Sequence, residues 1–172
     1  MKSLGTAALG IGHAPLACEA RASAPLLAHK LATLAFEEVC TLPVTWSTTH
    51  AAVERAGLRT GRSAVAHAGV GGVGLKVIEY TRWLSALAAG TAGRPHKHAQ
   101  RRATGVGGWS SSRQGDAFAA GATRLLETGR SHVVLNSLSL DFIAASFVSL
   151  GEAGAFAEIG KRGVWASARC AV

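Results

Sequence analysis

The feature that most constrains the fold is a glycine loop, Gly69-Val70-Gly71-Gly72-Val73-Gly74, which directly follows a short apolar segment. Residues 63–68 predict a strand, and residues 72–84 predict a helix that begins inside the loop. The first, third and sixth loop residues fit the G-x-G-x-x-G spacing in the strand-loop-helix context that this motif requires. Such a loop turns sharply and lets the backbone approach a pyrophosphate, so all six residues are predicted to bind a dinucleotide. The alternative is a flexible turn in a glycine-rich chain.

Strand and helix patterns alternate along the rest of the chain. Further strands are predicted at 87–91, 106–110, 132–136 and 155–159, and further helices at 95–103, 116–128 and 139–150. Five strands alternating with helices predict an α/β fold, a parallel sheet with helices on both faces. Right-handed crossovers then predict a Rossmann-type doubly wound order.

The segment before the first strand is less regular. Residues 1–42 carry scattered prolines and predict irregular structure, within which Phe36-Glu37-Glu38-Val39 favours a short helix. The pattern becomes clearer from Trp46: a helix is predicted through residues 50–56, with Ser47 or Thr48 as its N-cap and Gly57 at its end.

No acidic residue occurs from Tyr80 to Gly115, a range that includes the second strand, whereas Arg94, Lys97 and Arg113 follow that strand. NAD-binding proteins place an acid at the end of the second strand, where it bonds the adenosine ribose. Arg and Lys instead pair with a 2′-phosphate, so this stretch predicts NADPH rather than NADH. The alternative is that the basic residues form a solvated helix face. This alternative is a better explanation for Arg101 and Arg102 than for Arg94 and Lys97.

The net charge of +8 raises the question of an anionic partner. The basic residues cluster where a phosphorylated cofactor would lie and lack interleaved aromatic residues, so nucleic acid is not expected as a partner. No run reaches the roughly 18 apolar residues that span a bilayer, and residues 16–18 only weakly resemble a lipoprotein cleavage site. The three cysteines have no metal-ligand spacing. We therefore expect no metal, no membrane and a cytoplasmic location, with an organelle left open.

Five motifs occur in a fixed order along the chain: Leu42-Pro43-Val44-Thr45-Trp46-Ser47-Thr48, His67-Ala68 with the glycine loop, Ser111-Ser112-Arg113, Val133-Val134-Leu135-Asn136-Ser137-Leu138 and Glu158-Ile159-Gly160-Lys161-Arg162. Together they resemble the enoyl reductase domain of modular polyketide synthases and animal fatty acid synthase. That domain belongs to the medium-chain dehydrogenase/reductase superfamily, alongside the quinone oxidoreductases. The resemblance runs from about Ala14 to Trp165.

The resemblance implies a reaction that uses NADPH and no metal. The family reduces the 2,3-double bond of an enoyl thioester carried on an acyl carrier protein, within a larger synthase. Hydride passes from NADPH to the β-carbon, and a proton is added at the α-carbon. Reduction of a free quinone or enone, and a nucleotide-binding fragment without activity, are the alternatives.

The resemblance also implies roles for individual residues. Lys97 and Arg113 would face the adenosine phosphate, whereas Arg94 replaces a serine of the family and is assigned on its charge alone. Further cofactor contacts are implied at Thr48, Asn136 and Gly160. Lys161 matches the lysine proposed as proton donor. Two simpler roles stay open: Asn136 as the cap of the following helix, and Lys161 as a solvated side chain.

The resemblance finally predicts two domains. Residues 1–45 resemble the last part of a GroES-like β-domain, and residues 46–172 form a Rossmann domain that is incomplete at its C-terminal side. His132 replaces an aspartate that is usual in the family. We expect cofactor binding to survive without the missing parts, and full catalysis to need a partner that supplies the rest of the cleft.

Overall fold

The computed structural model describes residues 5–13, 18–94, 96–97, 100, 103–106, 108–114, 118, 121, 130–138 and 141–160. The chain divides into two compact units, Met1–Ser47 and Thr48–Val172.

The first unit contains a small antiparallel sheet. Its strands are β1 (Ala8–Gly10) and β2 (Leu27–His29), and a 3-10 turn at Ala24–Leu26 leads into β2. The prediction of irregular structure was therefore wrong at these two strands, because strands of three residues leave no alternation long enough to detect. The short helix predicted at 36–39 is confirmed as α1 (Phe36–Val39).

Helix α2 (Leu42–Arg55) begins before both of the predicted N-cap residues. The prediction of Ser47 or Thr48 as its N-cap was wrong, since both lie inside the helix and the Ser47 hydroxyl donates to the Pro43 carbonyl at 2.5 Å. Proline fits the first turn of a helix, where its missing N–H costs no hydrogen bond. Pro43 therefore lies within the helix start.

The second unit is built on a five-stranded sheet with the order β5-β4-β3-β6-β7, in which all neighbouring strands are parallel. The strands are β3 (Ser63–Ala66), β4 (Leu87–Ala92), β5 (Gly108–Ser111), β6 (Ser131–Asn136) and β7 (Leu150–Glu158), and the helices between them include α3 (Gly72–Trp83) and α4 (Asp141–Ser149). This confirms the predicted α/β fold and Rossmann order, whose direction reverses between β3 and β6. The helices predicted at 95–103 and 116–128 lie mostly outside the described residues.

Two hydrophobic cores cover the two faces of this sheet. On one face, Ala64 and Val133 pack with Val53 of α2 and Val77 of α3. On the opposite face, the core contains Phe118 and Phe142 of α4. Three strand residues pack with them: Val65, Ala89 and Val134. Successive strand residues point to opposite faces, so continuous apolar runs produce a sheet that is buried on both sides.

The fifth strand is longer than predicted, because β7 begins at Leu150 rather than at Ala155. Ser131 pairs with Leu150 and Val133 pairs with Ala155, so the extra residues of β7 form an irregularity opposite His132. Ala153 adopts a positive φ of 56° there. The glycines around it resemble a loop in sequence, whereas the structure keeps them within the strand as a bulge. Among the described helices, none has the length and apolar character that a bilayer span needs.

Candidate nucleotide-binding site

The glycine loop connects the end of β3 to the start of α3 at the point where the strand order reverses. Its turn is closed by the Gly71 N–H, which donates to the Ala68 carbonyl at 2.7 Å. Two bonds tie the loop to the end of β4: Gly69 N–H donates to the Thr91 carbonyl at 2.9 Å, and Ala68 N–H donates to Thr91 Oγ1 at 3.1 Å. The loop therefore has a position set by the neighbouring strand.

Close packing explains two of the loop glycines. A β-carbon at Gly74 would stand 2.6 Å from Gly69 Cα, so helix and loop approach as closely as their backbones allow. A β-carbon at Gly69 would stand 2.9 Å from the ring of Trp109 on β5. From the sequence, Gly69 was expected to contribute to the turn and to dinucleotide binding, and its contact with Trp109 was not predicted. The available signal was the tryptophan within the strand predicted at 106–110.

His67 lies two residues before Gly69, and hydrogen bonds connect both of its ring nitrogens to neighbouring elements. Its Nε2 lies 2.7 Å from Ser146 Oγ, and its Nδ1 lies 3.3 Å from Thr91 Oγ1. The Ser146 hydroxyl donates to the Phe142 carbonyl, so it accepts from Nε2–H, and Nδ1 then accepts from the Thr91 hydroxyl. The Thr91 oxygen in turn accepts the Ala68 N–H. One directional chain of hydrogen bonds thus links α4, His67, β4 and the loop.

The surroundings of His67 keep its ring neutral. The rings of Phe118 and Phe142 contact it edge-on, at centroid distances of 4.8 and 5.6 Å. Burial lowers the pKa of His67 from 6.5 to about 4. The ring must be neutral for Nε2–H to donate to Ser146 while Nδ1 accepts from Thr91. In the sequence, His67 stands only as part of a motif, and no role was predicted for it.

The start of α3 offers donors to a ligand. Its N-cap, Gly71, has no side chain to bond the first turn, and the first N–H groups of any α-helix have no partner within the helix. A cavity of about 220 Å³ adjoins this turn, and its lining includes His67, Gly71, Val73, Gly74, Ser137 and Ile159. An anion such as a pyrophosphate fits a helix start of this kind.

The predicted phosphate-binding cations lie at the neighbouring strand ends. Ala92 of β4 pairs with Ser111 of β5, so the residues that follow both strands leave the same edge of the sheet. The Arg113 side chain crosses to the β4 exit, where its Nε would stand 2.9 Å from a β-carbon at Gly93. Arg94 comes next in the chain and is exposed, and the half-buried Lys97 donates its N–H to the Arg94 carbonyl at 3.0 Å. Arg94, Lys97 and Arg113 therefore lie at one corner of the sheet.

Asn136 ends β6 and is fully buried. Its Nδ2 donates to the Leu138 carbonyl at 2.7 Å and to Glu158 Oε2 at 2.6 Å, and its Oδ1 accepts the Leu138 N–H at 3.1 Å. Both side-chain donors are therefore bonded to neighbouring protein groups. Because the two bonds with Leu138 lie ahead of α4, Asn136 stabilises the turn after β6 rather than capping the helix.

Thr48 and the end of β7 line a second cavity of about 390 Å³. Thr48 and Arg55 contribute from α2, and Glu158 and Ile159 contribute from the end of β7. Gly160 follows and donates its N–H to Glu158 Oε1 at 2.6 Å. Lys161 lies outside the described residues. Within the ranges that the structure describes, no three His, Cys, Asp or Glu side chains come together as a metal site.

Comparisons with known proteins agree with this architecture. No protein-family model matches the chain. The polyketide synthase protein NorB of the spectinabilin system of Streptomyces orinoci is 40% identical over 139 residues, which are 79% of this chain and 6% of NorB. The crystal structure of CurK enoyl reductase superposes with a TM-score of 0.80 at 30% identity, over 86% of this chain and 44% of that one. Mycobacterial Rv1454c, solved with NADPH, shares the fold with a TM-score of 0.76 at 22% identity, over 86% of this chain and 46% of that one.

A parallel sheet in Rossmann order, with a glycine loop where that order reverses, defines the class as a Rossmann-type α/β protein. Within this class, the chain belongs to the enoyl reductase domains of polyketide synthases. The chain spans less than half of CurK enoyl reductase and a small part of NorB.

Proposed function

We propose that this chain binds NADPH and forms the cofactor-binding part of an enoyl reductase. The substrate of that enzyme is an enoyl thioester on an acyl carrier protein, and its 2,3-double bond is reduced. The proposal is supported by the kinship with polyketide synthase enoyl reductases. The acyl carrier protein and neighbouring synthase domains are the proposed partners, because the homologues are parts of multidomain synthases.

The observation that carries the proposal is the uncapped start of α3 beside a basic corner. The glycine loop and the first turn of α3 would hold the pyrophosphate with backbone N–H groups. Arg113, Lys97 and Arg94 would pair with the 2′-phosphate at the ends of β4 and β5. The related fold of Rv1454c holds NADPH. The residues present therefore fit the cofactor at its two phosphate positions.

The other end of the cofactor would extend toward β6 and β7. NADPH supplies the hydride that the β-carbon of the enoyl group receives. Thr48 and the Asn136 turn would border the nicotinamide end, and Lys161 would protonate the α-carbon. The role of Lys161 is proposed from its match to the family motif, and that of Asn136 is proposed as indirect, since its side-chain donors already bond protein groups.

A calorimetric titration with NADPH and with NADH tests the proposal. We expect NADPH to bind at least about ten-fold more tightly, because one well-paired phosphate contributes about 1.4 kcal/mol or more. Equal affinities would contradict the assignment of the basic corner. Absence of binding to either nucleotide would contradict the nucleotide site itself.

Turnover is tested separately from binding. Reduction of an acyl-carrier-bound enoyl thioester, without reduction of free quinones, is expected for the proposed enzyme. Quinone reduction alone would instead favour an oxidoreductase that acts on small molecules. Replacement of Lys161 by alanine is expected to reduce turnover while NADPH affinity is retained.

A further inference from the structure

We propose that Glu158 is a positioning residue that holds the two backbone segments facing the nicotinamide end of the proposed cofactor site. These segments are the Asn136–Leu138 turn after β6 and Gly160 after β7. The inference rests on the proposed function, because the cofactor is the ligand that these segments would border. The resemblance assigned roles to other residues of the two motifs and none to Glu158.

The carboxylate joins two strands at their last paired position. Asn136 and Glu158 lie directly opposite each other in the β6–β7 register. Glu158 Oε2 accepts from Asn136 Nδ2 at 2.6 Å, and Oε1 accepts from the Gly160 N–H at 2.6 Å. Each oxygen therefore has its own donor, and both bonds have the short length of charge-assisted hydrogen bonds.

A carboxylate also determines the orientation of the Asn136 amide. An ionised carboxylate accepts hydrogen bonds and donates none, so it selects Nδ2 as the atom that faces β7. Oδ1 is then turned toward the Leu138 N–H, which it accepts at 3.1 Å. The second Nδ2 hydrogen bonds the Leu138 carbonyl at 2.7 Å. Glu158 thereby sets the turn that leads from β6 past the cleft.

The second bond sets the backbone after β7. A β-carbon at Gly160 would stand 2.7 Å from Glu158 Oε1, so the carboxylate occupies space that only glycine leaves open. Ile159 is held as well, since its N–H donates to the Asn136 carbonyl at 2.9 Å. Gly160 immediately precedes Lys161 in the sequence. The bond therefore fixes the backbone at Gly160.

A purely structural role would have a different signature from positioning. If Glu158 only stabilised the sheet, its loss would weaken every ligand of the domain equally. If it positions the β6 and β7 exits, its loss weakens ligands that reach the nicotinamide end and spares ligands that occupy only the adenosine end. NADPH and adenosine 2′,5′-bisphosphate provide this pair of ligands.

The test compares Glu158→Gln with Glu152→Gln, a matched change at an exposed residue on the same strand. We expect Glu158→Gln to weaken NADPH binding by roughly ten-fold, because one of its two hydrogen bonds meets a donor where an acceptor is needed. Adenosine 2′,5′-bisphosphate should bind within about two-fold of wild type. Glu152→Gln should change neither affinity. Equal losses for both ligands would overturn the positioning role.

A spectroscopic measurement on the ligand-free protein tests the bridge itself. In wild-type protein, the Asn136 side-chain amide and the Gly160 N–H should show NMR shifts typical of bonds to a carboxylate. Glu158→Gln should shift both signals and speed hydrogen exchange at Gly160 by roughly ten-fold. Unchanged signals at both sites would show that the bridge does not exist.

A second variant separates charge from reach. Glu158→Asp keeps the negative charge, but it is one methylene too short to bond both donors at once. We expect it to lose NADPH affinity as Glu158→Gln does, and retention of wild-type affinity would overturn the bridge. If wild-type protein binds neither ligand, the proposed function fails together with the cofactor part of this inference. The NMR signals of Asn136 and Gly160 would then still decide whether the bridge exists.

Discussion

The two halves of the sheet contribute to the candidate nucleotide-binding site in different ways. In the half made of β3, β4 and β5, glycines allow close backbone approach and cations lie at the strand ends. In the half made of β6 and β7, a buried asparagine and a glutamate bond each other across the strands. The first half would present its groups to the proposed cofactor, whereas the polar side chains of the second half bond other protein groups. A residue of the proposed binding motif can therefore stabilise backbone rather than contact the ligand directly.

His67 connects the two halves. Its hydrogen bonds reach Thr91 on β4 in one direction and Ser146 on α4 in the other. The Ser137 hydroxyl, just after β6, lies 3.3 Å from the His67 carbonyl, to which it donates. We therefore expect changes at the glycine loop and at His67 to have larger effects than changes at the exposed rim.

The largest effect is expected for Gly74→Ala. The new β-carbon would overlap the backbone of Gly69, which cannot move without breaking its bond to Thr91. We expect the free energy of unfolding to fall by about 3 kcal/mol and NADPH binding to be lost. Denaturant unfolding and calorimetry measure the two effects. Gly151→Ala is the control, because its nearest neighbour would stand at an ordinary 3.4 Å, and a similar loss there would contradict the packing argument.

Acid is expected to destabilise the protein through His67. The folded-state pKa of about 4 lies below the ordinary value of 6.5, so folding favours the neutral ring. This contribution is complete above pH 6.5 and is lost as the pH falls toward 4, by about 3 kcal/mol in total. Unfolding curves measured across this range should show a smaller slope in His67→Gln. Identical slopes in the two proteins would show that His67 is not the group responsible.

A smaller effect is expected at the basic corner. Arg113→Glu should weaken NADPH by roughly ten-fold and NADH by less than about two-fold, because only NADPH carries the 2′-phosphate. The affinities of both nucleotides are measured by titration at fixed salt. Arg59→Glu makes the same charge change at an exposed residue after α2 and should leave the NADPH preference intact. Equal erosion in both variants would indicate a general field effect rather than a phosphate contact.

The smallest effect is expected at Trp109. Trp109→Phe removes part of the ring that packs on Gly69, and we expect a loss of about 1 kcal/mol in the free energy of unfolding. The same change should reduce the quenching of tryptophan fluorescence by NADPH. Trp83→Phe is the control, since Trp83 is 73% exposed and its replacement should affect neither measurement. Equal changes in both variants would contradict the placement of Trp109 against the loop.

The sequence predicted most of the fold because local patterns carry it. Apolar runs at 63–68 and 132–136 are long enough to indicate buried strands, and the glycine loop marks the crossing from β3 to α3. The errors fell where tertiary context overrides local signals. Pro43 lies inside a helix start, and the glycines of β7 form a bulge that pairing with β6 maintains.

The candidate site divides in the same way. Residue type and order by themselves determined the glycine loop and the acid-free basic stretch, since backbone freedom and charge are properties of single residues. Only the tertiary structure decided that Trp109 packs against Gly69, that His67 is neutral beneath the loop, and that Glu158 bonds Asn136. These relations join residues 22 to 79 positions apart along the chain, as with Asn136 and Glu158 or His67 and Ser146. Hydrogen bonds and packing depend on three-dimensional distance, which no local pattern in the sequence records.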